Sequence, residues 1–388
     1  MLAWHVSYLN DTDRGPSMPN YIIDANSGKV LKEWEGLTTA SSEDGTGLGG
    51  TTTLNAKPYQ YGQFQAPTPQ LGVLSNLYVT HATSSICTLN TDQFIVYNLK
   101  NQTEKQFFVP VSSSVESTLS PFAYYCSGPN LNDNGYAPVN GGVSPVNDAT
   151  YFIKRTIDML KKYGVASPVG SQLPRVYTHV AEFDNAFACD SACMADMGLS
   201  GPQQLVFGNG QTVAQGPYPP MFAPLTEGDI VAHEFGHLVT DNFSKLQYSD
   251  QSGGMNEAFS DMTGMAINNY MRNTMGATWY WDGADWTTGK SITKSGKPLR
   301  YFYEPTLDGV SISSATKFKP GMNPHLSSGV YNKAFYLLAT NTKAGWTVVK
   351  AYQVMLDANM YYWGPLTNYS SGACGVAQAA KNRGYSAQ

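Results

Sequence analysis

The spacing of apolar positions along this chain changes character near Pro224. Before it, short apolar runs such as QFIVYNL (93–99), KQFFVPV (105–111), LPRVYTHV (173–180) and QQLVFGNG (203–210) are broken by Gly, Pro and Asn. That pattern predicts strands. One helix is predicted in this half, over NDATYFIKRTIDMLKKYG (147–164), from its Asn-Asp start, helical apolar spacing and Gly stop. Beyond Pro224, GDIVAHEFGHLVTDNF (228–243), MNEAFSDMTGMAINNYMRN (255–273), GVYNKAFYLLATN (329–341) and WTVVKAYQVMLDANMYYW (346–363) all read as helices. A strand-rich half joined to a helical half predicts an α+β protein of two lobes with a cleft between them. The boundaries expected are 48–224 for the β-rich N-terminal lobe and 225–388 for the helical C-terminal lobe. The HEFGH segment falls at their junction, where binding sites tend to form.

Residues 1–47 stand apart. LAWHVSYLND (2–11) alternates like a strand directly after Met1, as a chain with its natural start missing would. PNYIIDANSGKVLKEWEGL (19–37) has the pattern of a hairpin. TTASSEDGTGLGGTTT (38–53) is small, polar and Gly-rich, and is expected to be a linker or an exposed, cleavable loop.

Composition narrows the function classes. Charged residues are 14% of the 388, and Gly, Ser, Thr, Asn and Tyr take their place on the surface, as in many secreted hydrolases. A net charge of -5 gives no electrostatic case for nucleic-acid binding. No apolar run approaches the roughly 18 residues of a membrane span, so no membrane partner is expected. Of the five Cys, Cys189 and Cys193 are close enough to pair if the loop between them turns. Cys87 and Cys126 could form a second bridge and leave Cys374 over. Paired Cys imply an oxidising compartment, the alternative being five buried thiols in a cytosolic protein.

The chemistry concentrates between Val231 and Asp261. His233 and His237 are four apart on a helix and so present their rings on one face, a spacing that suits two imidazoles on one Zn2+. Glu234 points to the edge of that face, where it can reach a water at the metal without ligating. Two incidental His on a surface helix would also satisfy this motif, so the third ligand decides. Catalytic zinc takes three protein ligands and leaves a fourth position open. Glu257 stands twenty residues after His237 on a second helix, with Asp261 one turn further on.

His233-Glu234-x-x-His237 followed by Asn256-Glu257-Ala258-x-Ser260-Asp261 resembles the thermolysin family of neutral metalloproteases. QSGGMNEAFSDM, SSGVYNKAFYLLA and SGACGV are most similar to its vibriolysin and pseudolysin branch. The resemblance runs from about residue 48 to the C-terminus and implies that family's two-lobed fold. It implies zinc on His233, His237 and Glu257, with Asp261 accepting the free N–H of His233. It also implies that Tyr248 and His325 hold the developing oxyanion and that Arg300 binds a substrate carbonyl on the leaving-group side. Asn185 and Ala186 in DNAFA match an edge that pairs with the substrate backbone. Phe222, Leu225, Ile230 and Leu299 are similar to positions lining the pocket for the residue after the scissile bond.

Some positions depart from the family pattern. The family binds calcium through acids on the helix after the third zinc ligand, where Met265 and Asn268 stand here. Asp229 alone cannot supply the six to eight oxygens of Ca2+, which argues against calcium there. Ala188 and the Cys189–Cys193 loop replace a second aromatic residue on the non-primed side, which predicts a differently shaped subsite. The residue placed to orient His325 is Asn323, an amide that cannot raise the histidine's pKa as a carboxylate would. The branch also continues past NRGYSAQ with a further helix and a second Cys, which would account for an unpaired Cys374.

The resemblance therefore implies a secreted, extracellular zinc endopeptidase that cleaves proteins and peptides before bulky hydrophobic residues, with Glu234 as general base. A monomer is expected, with residues 1–40 as the tail of an inhibitory propeptide, 1–47 as that remnant with its cleavable linker, and a processing site between roughly Ala40 and Gly47. The competing reading is a zinc-stabilised binding protein on a protease scaffold, which would have no use for Glu234.

Overall fold

The computed structural model describes the chain apart from residues 1, 8–9, 13–14, 18, 36–40, 53–57, 66–71, 84, 104–108, 128–129, 131–139, 169, 171, 215–216 and 386–388. Most of the strand expected at 105–111 therefore lies outside the described residues.

The chain opens with β1 (Ala3–Ser7), β2 (Pro19–Asp24) and β3 (Val30–Glu35), an antiparallel sheet in that order. The predicted hairpin is its second half. Asp24 Oδ1 accepts from the backbone N–H of Asn26 and Ser27, and Gly28 takes the left-handed φ of +70° that closes the turn.

The Gly-rich stretch that follows is not an exposed loop over its described part. β4 (Ser41–Gly45) pairs with β7 (Leu77–His81), and β5 (Gly47–Gly49) pairs with β6 (Tyr59–Tyr61). Gly45, Gly47, Gly49 and Gly50 are buried. The small residues permit close approach: a Cβ on Gly49 would lie 2.2 Å from Asp148 Oδ1 and 2.6 Å from the Tyr59 ring. Asp148 Oδ2 accepts the Gly50 N–H at 3.0 Å and pins the strand to the helix behind it.

A second, mixed sheet forms the floor of the N-terminal lobe. β8 (Ile95–Thr103), β9 (Arg175–Ala181) and β11 (Gln204–Gly208) are parallel neighbours, and β10 (Ala186–Cys189) closes the edge antiparallel to β11. β11 is buried throughout, as expected for a parallel strand covered on both faces. α1 (Pro145–Lys162) packs against this sheet and starts two residues earlier than expected, because Pro145 is well suited to a first helical turn.

The C-terminal lobe contains α3 (Gly228–Asn242), α4 (Asp250–Met275), α5 (Gly329–Ala339), α6 (Val348–Tyr361) and α7 (Tyr369–Asn382). α2 (Ser191–Asp196), a short helix after β10, begins inside the stretch expected to be a Cys189–Cys193 loop and runs three residues past it. One continuous hydrophobic core runs from Tyr59 through α1, α3 and α4 to Ala380, so the two lobes share a centre. α3 and α4 approach closely at glycines. A Cβ on Gly236 would meet Ser260 Cα at 2.8 Å, and one on Gly264 would meet the Asp229 carbonyl at 2.6 Å. This contact sets the His pair of α3 against the acids of α4. Cys87–Cys126 and Cys189–Cys193 are disulfides, and Cys374 is free and exposed.

Candidate metal centre and active site

His233 and His237 sit mid-helix on α3, and Glu257 faces them from α4. His233 Nε2 lies 3.2 Å from His237 Nε2 and 3.4 Å from Glu257 Oε2, while His237 Nε2 lies 3.6 Å from Glu257 Oε1. Ligands about 2.0–2.1 Å from a tetrahedral zinc are separated by roughly 3.3 Å, so these spacings fit one ion.

The tautomers point the same way. His233 Nδ1–H donates to Asp261 Oδ1 at 2.9 Å, and His237 Nδ1–H donates to Asn256 Oδ1 at 2.8 Å. Asn256 is held that way round because its Nδ2 donates to the Leu246 carbonyl. With both protons on Nδ1, two Nε2 lone pairs face each other across 3.2 Å. Glu257 Oε2 is buried beside them with no hydrogen-bond partner, in a residue 1% exposed. Two lone pairs and a carboxylate oxygen at that distance need a shared cation. A nitrogen-and-oxygen set of this type suits Zn2+.

Charge around the centre is steeply graded. Burial raises the Asp261 carboxyl, but Arg300 and His233 outweigh it and hold Asp261 far below the usual carboxylate range. Arg300 Nε and Nη2 grip the two oxygens at 2.7 and 2.5 Å, and Asn332 Nδ2 donates to Oδ2 at 2.7 Å. Burial likewise opposes ionisation of Glu257, yet His233, His237, His325 and Arg300 bring it down to about 2. Glu234 goes the other way, its pKa raised by burial, which suits a proton acceptor.

The cleft beside these groups has a volume of about 420 Å3, and Asn185, Ala186, Glu234, Tyr248 and His325 line it together with the three candidate ligands. Tyr248 is half exposed and its hydroxyl donates to Glu257 Oε1. His325, also exposed, places Nε2 3.4 Å from Glu257 Oε2. Asn323 Oδ1 accepts from both the backbone N–H and Nδ1–H of His325, at 2.9 and 3.1 Å. Burial lowers the pKa of His325.

Five predicted substrate-binding residues fall outside this lining, among them Arg300, whose guanidinium is turned to Asp261. Phe222, Leu225 and Ile230 are buried in the shared core, and Leu299, partly buried, packs against it; none lines this cleft. Their apolar side chains pack in or against the core, with Leu299 lying against Gly289, while the Phe222 backbone forms an isolated bridge to Thr293. Asp229 spends its oxygens on the backbone N–H groups of Ile230 and Gly289. Asn332 was not singled out from the sequence, and Asn256 was named only as part of the motif, without a role. For Asn256 the signal was faint, since an Asn one residue before a ligand reads equally well as a helix-surface amide.

The comparisons with known proteins agree. The thermolysin metallopeptidase catalytic domain matches residues 67–241, and the thermolysin metallopeptidase alpha-helical domain matches 244–388. The "Neutral protease" of Vibrio proteolyticus is 36% identical over 96% of this chain and 51% of its own length. The "Virulence metalloprotease" of Vibrio anguillarum is 36% identical over 95% and 51%. The "Zinc metalloproteinase MspA" of Legionella longbeachae is 33% identical over 99% and 65%. The chain thus spans about half the length of the Vibrio relatives it matches. The solved precursor of protealysin, a metalloproteinase from Serratia proteamaculans, shares the fold with a TM-score of 0.52 and 21% identity, over 78% of this chain and 85% of that one. From its matched domains, its relatives and the arrangement of His233, His237 and Glu257, this chain belongs to the thermolysin-like metallopeptidases, in the vibriolysin branch.

Proposed function

We propose that the protein is a secreted zinc endopeptidase that hydrolyses peptide bonds before bulky hydrophobic residues. The observation that carries this is the pair of facing Nε2 lone pairs beside Glu257 Oε2, with Glu234 buried on the same cleft. His233, His237 and Glu257 would hold Zn2+, which when bound acts as a Lewis acid on the scissile carbonyl and makes water a nucleophile near neutral pH.

The chain's own residues do the rest. Glu234 takes a proton from the attacking water and returns it to the leaving amine. Tyr248 Oη and His325 Nε2 both sit on Glu257 at the mouth of the cleft, beside the carbonyl oxygen as it gains charge. Because His325 Nδ1–H is engaged with Asn323, Nε2 donates when the ring carries both protons. Arg300, held by Nε and Nη2, keeps Nη1 for a substrate carbonyl. Asn185 and Ala186, at the start of edge strand β10, offer backbone groups to an extended substrate.

The preference for a bulky hydrophobic residue rests on the family resemblance, and of the four apolar candidates Leu299 is the one with part of its surface outside the core. Secretion is supported by the two disulfides and by relatives whose names mark them as virulence and haemagglutinating proteases. No helix among the described residues is long and apolar enough to cross a membrane. An inhibitory role for residues 1–40 is supported by the protealysin precursor sharing this fold, and the action is proposed for a monomer on proteins and peptides.

A quenched peptide with Leu or Phe after its scissile bond tests the reading. Turnover should vanish with a zinc chelator and return with added Zn2+. A chain that holds zinc and cleaves no such peptide would be a binding scaffold instead.

A further inference from the structure

A second group of metal-ligating side chains lies in the N-terminal lobe, and none of its members lines the cleft. His81, the last residue of β7, stands directly opposite Cys87 on the neighbouring strand Ile86–Thr88. That strand pairs in turn with Ala123–Tyr125, where Tyr124 stands opposite Cys87. Cys126 comes two residues after Tyr124, and its N–H donates to the Ser85 carbonyl at 3.0 Å. Residues opposite one another across a ladder, and residues two apart on a strand, share a face of the sheet. The register therefore gathers one imidazole and two sulfurs on one face.

Their spacing is that of a ligand set. His81 Nδ1 lies 3.7 Å from Cys87 Sγ and 3.7 Å from Cys126 Sγ, and the three atoms all fall within 4.8 Å of one another. Tetrahedral zinc, with nitrogen at about 2.0–2.1 Å and sulfur at about 2.3 Å, separates the two by roughly 3.6 Å. The nitrogen already stands at that distance from both sulfurs. Among the described residues the His81 ring has no other hydrogen-bond partner. Sulfur is a weak acceptor and His81 is exposed, so the strand register, not the strength of these contacts, puts the ring there.

Sulfurs bonded to each other are poor ligands, since the thiolate is the form that binds metal. Opening the bridge takes two electrons and two protons and leaves two thiols. These need part only to about 3.8 Å to sit on one zinc ion. Cys87 is buried and Cys126 half-buried, so both remain anchored in the sheet as they separate, while exposed His81 leaves a side open to water.

We infer that Cys87, Cys126 and His81 form a zinc site of two thiolates and one imidazole, available while the bridge between the cysteines is open. Zn2+ displaces both thiol protons as it binds, and a water takes the fourth position. The sulfur pair makes this a softer site than the nitrogen-and-oxygen set on α3 and α4. The inference does not depend on the peptidase reading.

The test counts zinc per chain after dialysis, with and without reduction by a trialkylphosphine. The phosphine takes the oxygen of one water and becomes its oxide; its two electrons and the two water protons convert the bridge to thiols. Zn2+ is present throughout, so the site can form as the bridge opens. The reduced chain should hold one Zn2+ more than the oxidised chain, and Co2+ in its place should show sulfur-to-cobalt charge transfer. C189A/C193A should keep this gain, whereas C87A/C126A and H81A should lose it. H81A changes an exposed side chain and keeps the test open if the cysteine variant misfolds. No extra zinc on reduction, a gain that survives in H81A, or one that disappears in C189A/C193A overturns the site. Failure of the α3–α4 centre would lower the count in both states and leave the difference between them untouched.

Discussion

Asp261 Oδ1 accepts the Nδ1–H of His233 at 2.9 Å, and the same carboxylate is gripped by Arg300 and Asn332. One buried acid therefore fixes the tautomer of a candidate metal ligand and anchors the Arg300 guanidinium. Asp261→Asn should weaken zinc affinity by about 10- to 100-fold, as loss of an acceptor behind a ligating His commonly does. It should also cost about 3–5 kcal/mol of stability by leaving Arg300 without its partner. Competition with a metal indicator and a thermal melt measure the two effects. Unchanged affinity would remove Asp261 from the metal site.

The pH–rate profile should be a narrow bell. Glu234 must be ionised to accept a proton, and its raised pKa moves the acid limb above that of an ordinary glutamate. His325 must be protonated to donate from Nε2, and its lowered pKa brings the alkaline limb down. Asn323→Asp puts a carboxylate against Nδ1 and should move the alkaline limb up by about one unit with the acid limb fixed. Measurement of kcat/KM against pH for both proteins checks this.

Stability should respond to pH through a different buried acid. Glu227 accepts from the Tyr280 hydroxyl, and burial followed by the charge of Asp148 pushes its pKa up to about 8 from the ordinary glutamate value of 4.5. The folded state then binds more protons than the unfolded one between those values, so this contribution is present at low pH and is lost as pH rises toward 8. Glu227→Gln keeps an acceptor for Tyr280 and cannot ionise. Its stability relative to the parent should rise between pH 5 and pH 8, by on the order of 3 kcal/mol. A difference independent of pH would contradict the assignment.

The two disulfides should separate into a stability bridge and a cleft bridge. Cys87–Cys126 closes a separation of 39 residues and Cys189–Cys193 one of 4. Chain-entropy arguments give about 4 kcal/mol for the first and about 2 for the second. C87A/C126A should lower Tm more, and C189A/C193A should raise KM more because that bridge holds the cleft wall. Denaturation and peptide kinetics on the two double variants decide it.

The metal centre was legible because its chemistry follows helical periodicity. His233 and His237 share a face by spacing alone, and Glu257 with Asp261 repeats that geometry on the next helix. The groups behind them were harder to read. Asn256 earns its role from where the Leu246 carbonyl points, a contact with no local sequence signature. The Gly-rich 45–50 stretch misled because glycine marks both a loose loop and a strand pressed against Asp148, Tyr59 and Tyr61. Phe222, Leu225 and Ile230 were correctly read as apolar, but hydrophobicity does not distinguish a pocket wall from the core beneath it. α7 was not anticipated because Gly372 and Gly375 weaken its helical pattern, although Asn368 and Ser371 form a reciprocal capping box at its start.

The most direct test compares the wild-type chain with Glu234→Gln for zinc content and for turnover of one Leu-containing peptide. The account predicts one Zn2+ per chain in both proteins, with turnover about a thousandfold lower in the variant. Substantial turnover by Glu234→Gln at full zinc occupancy, or a wild-type chain that takes up no zinc, would contradict it.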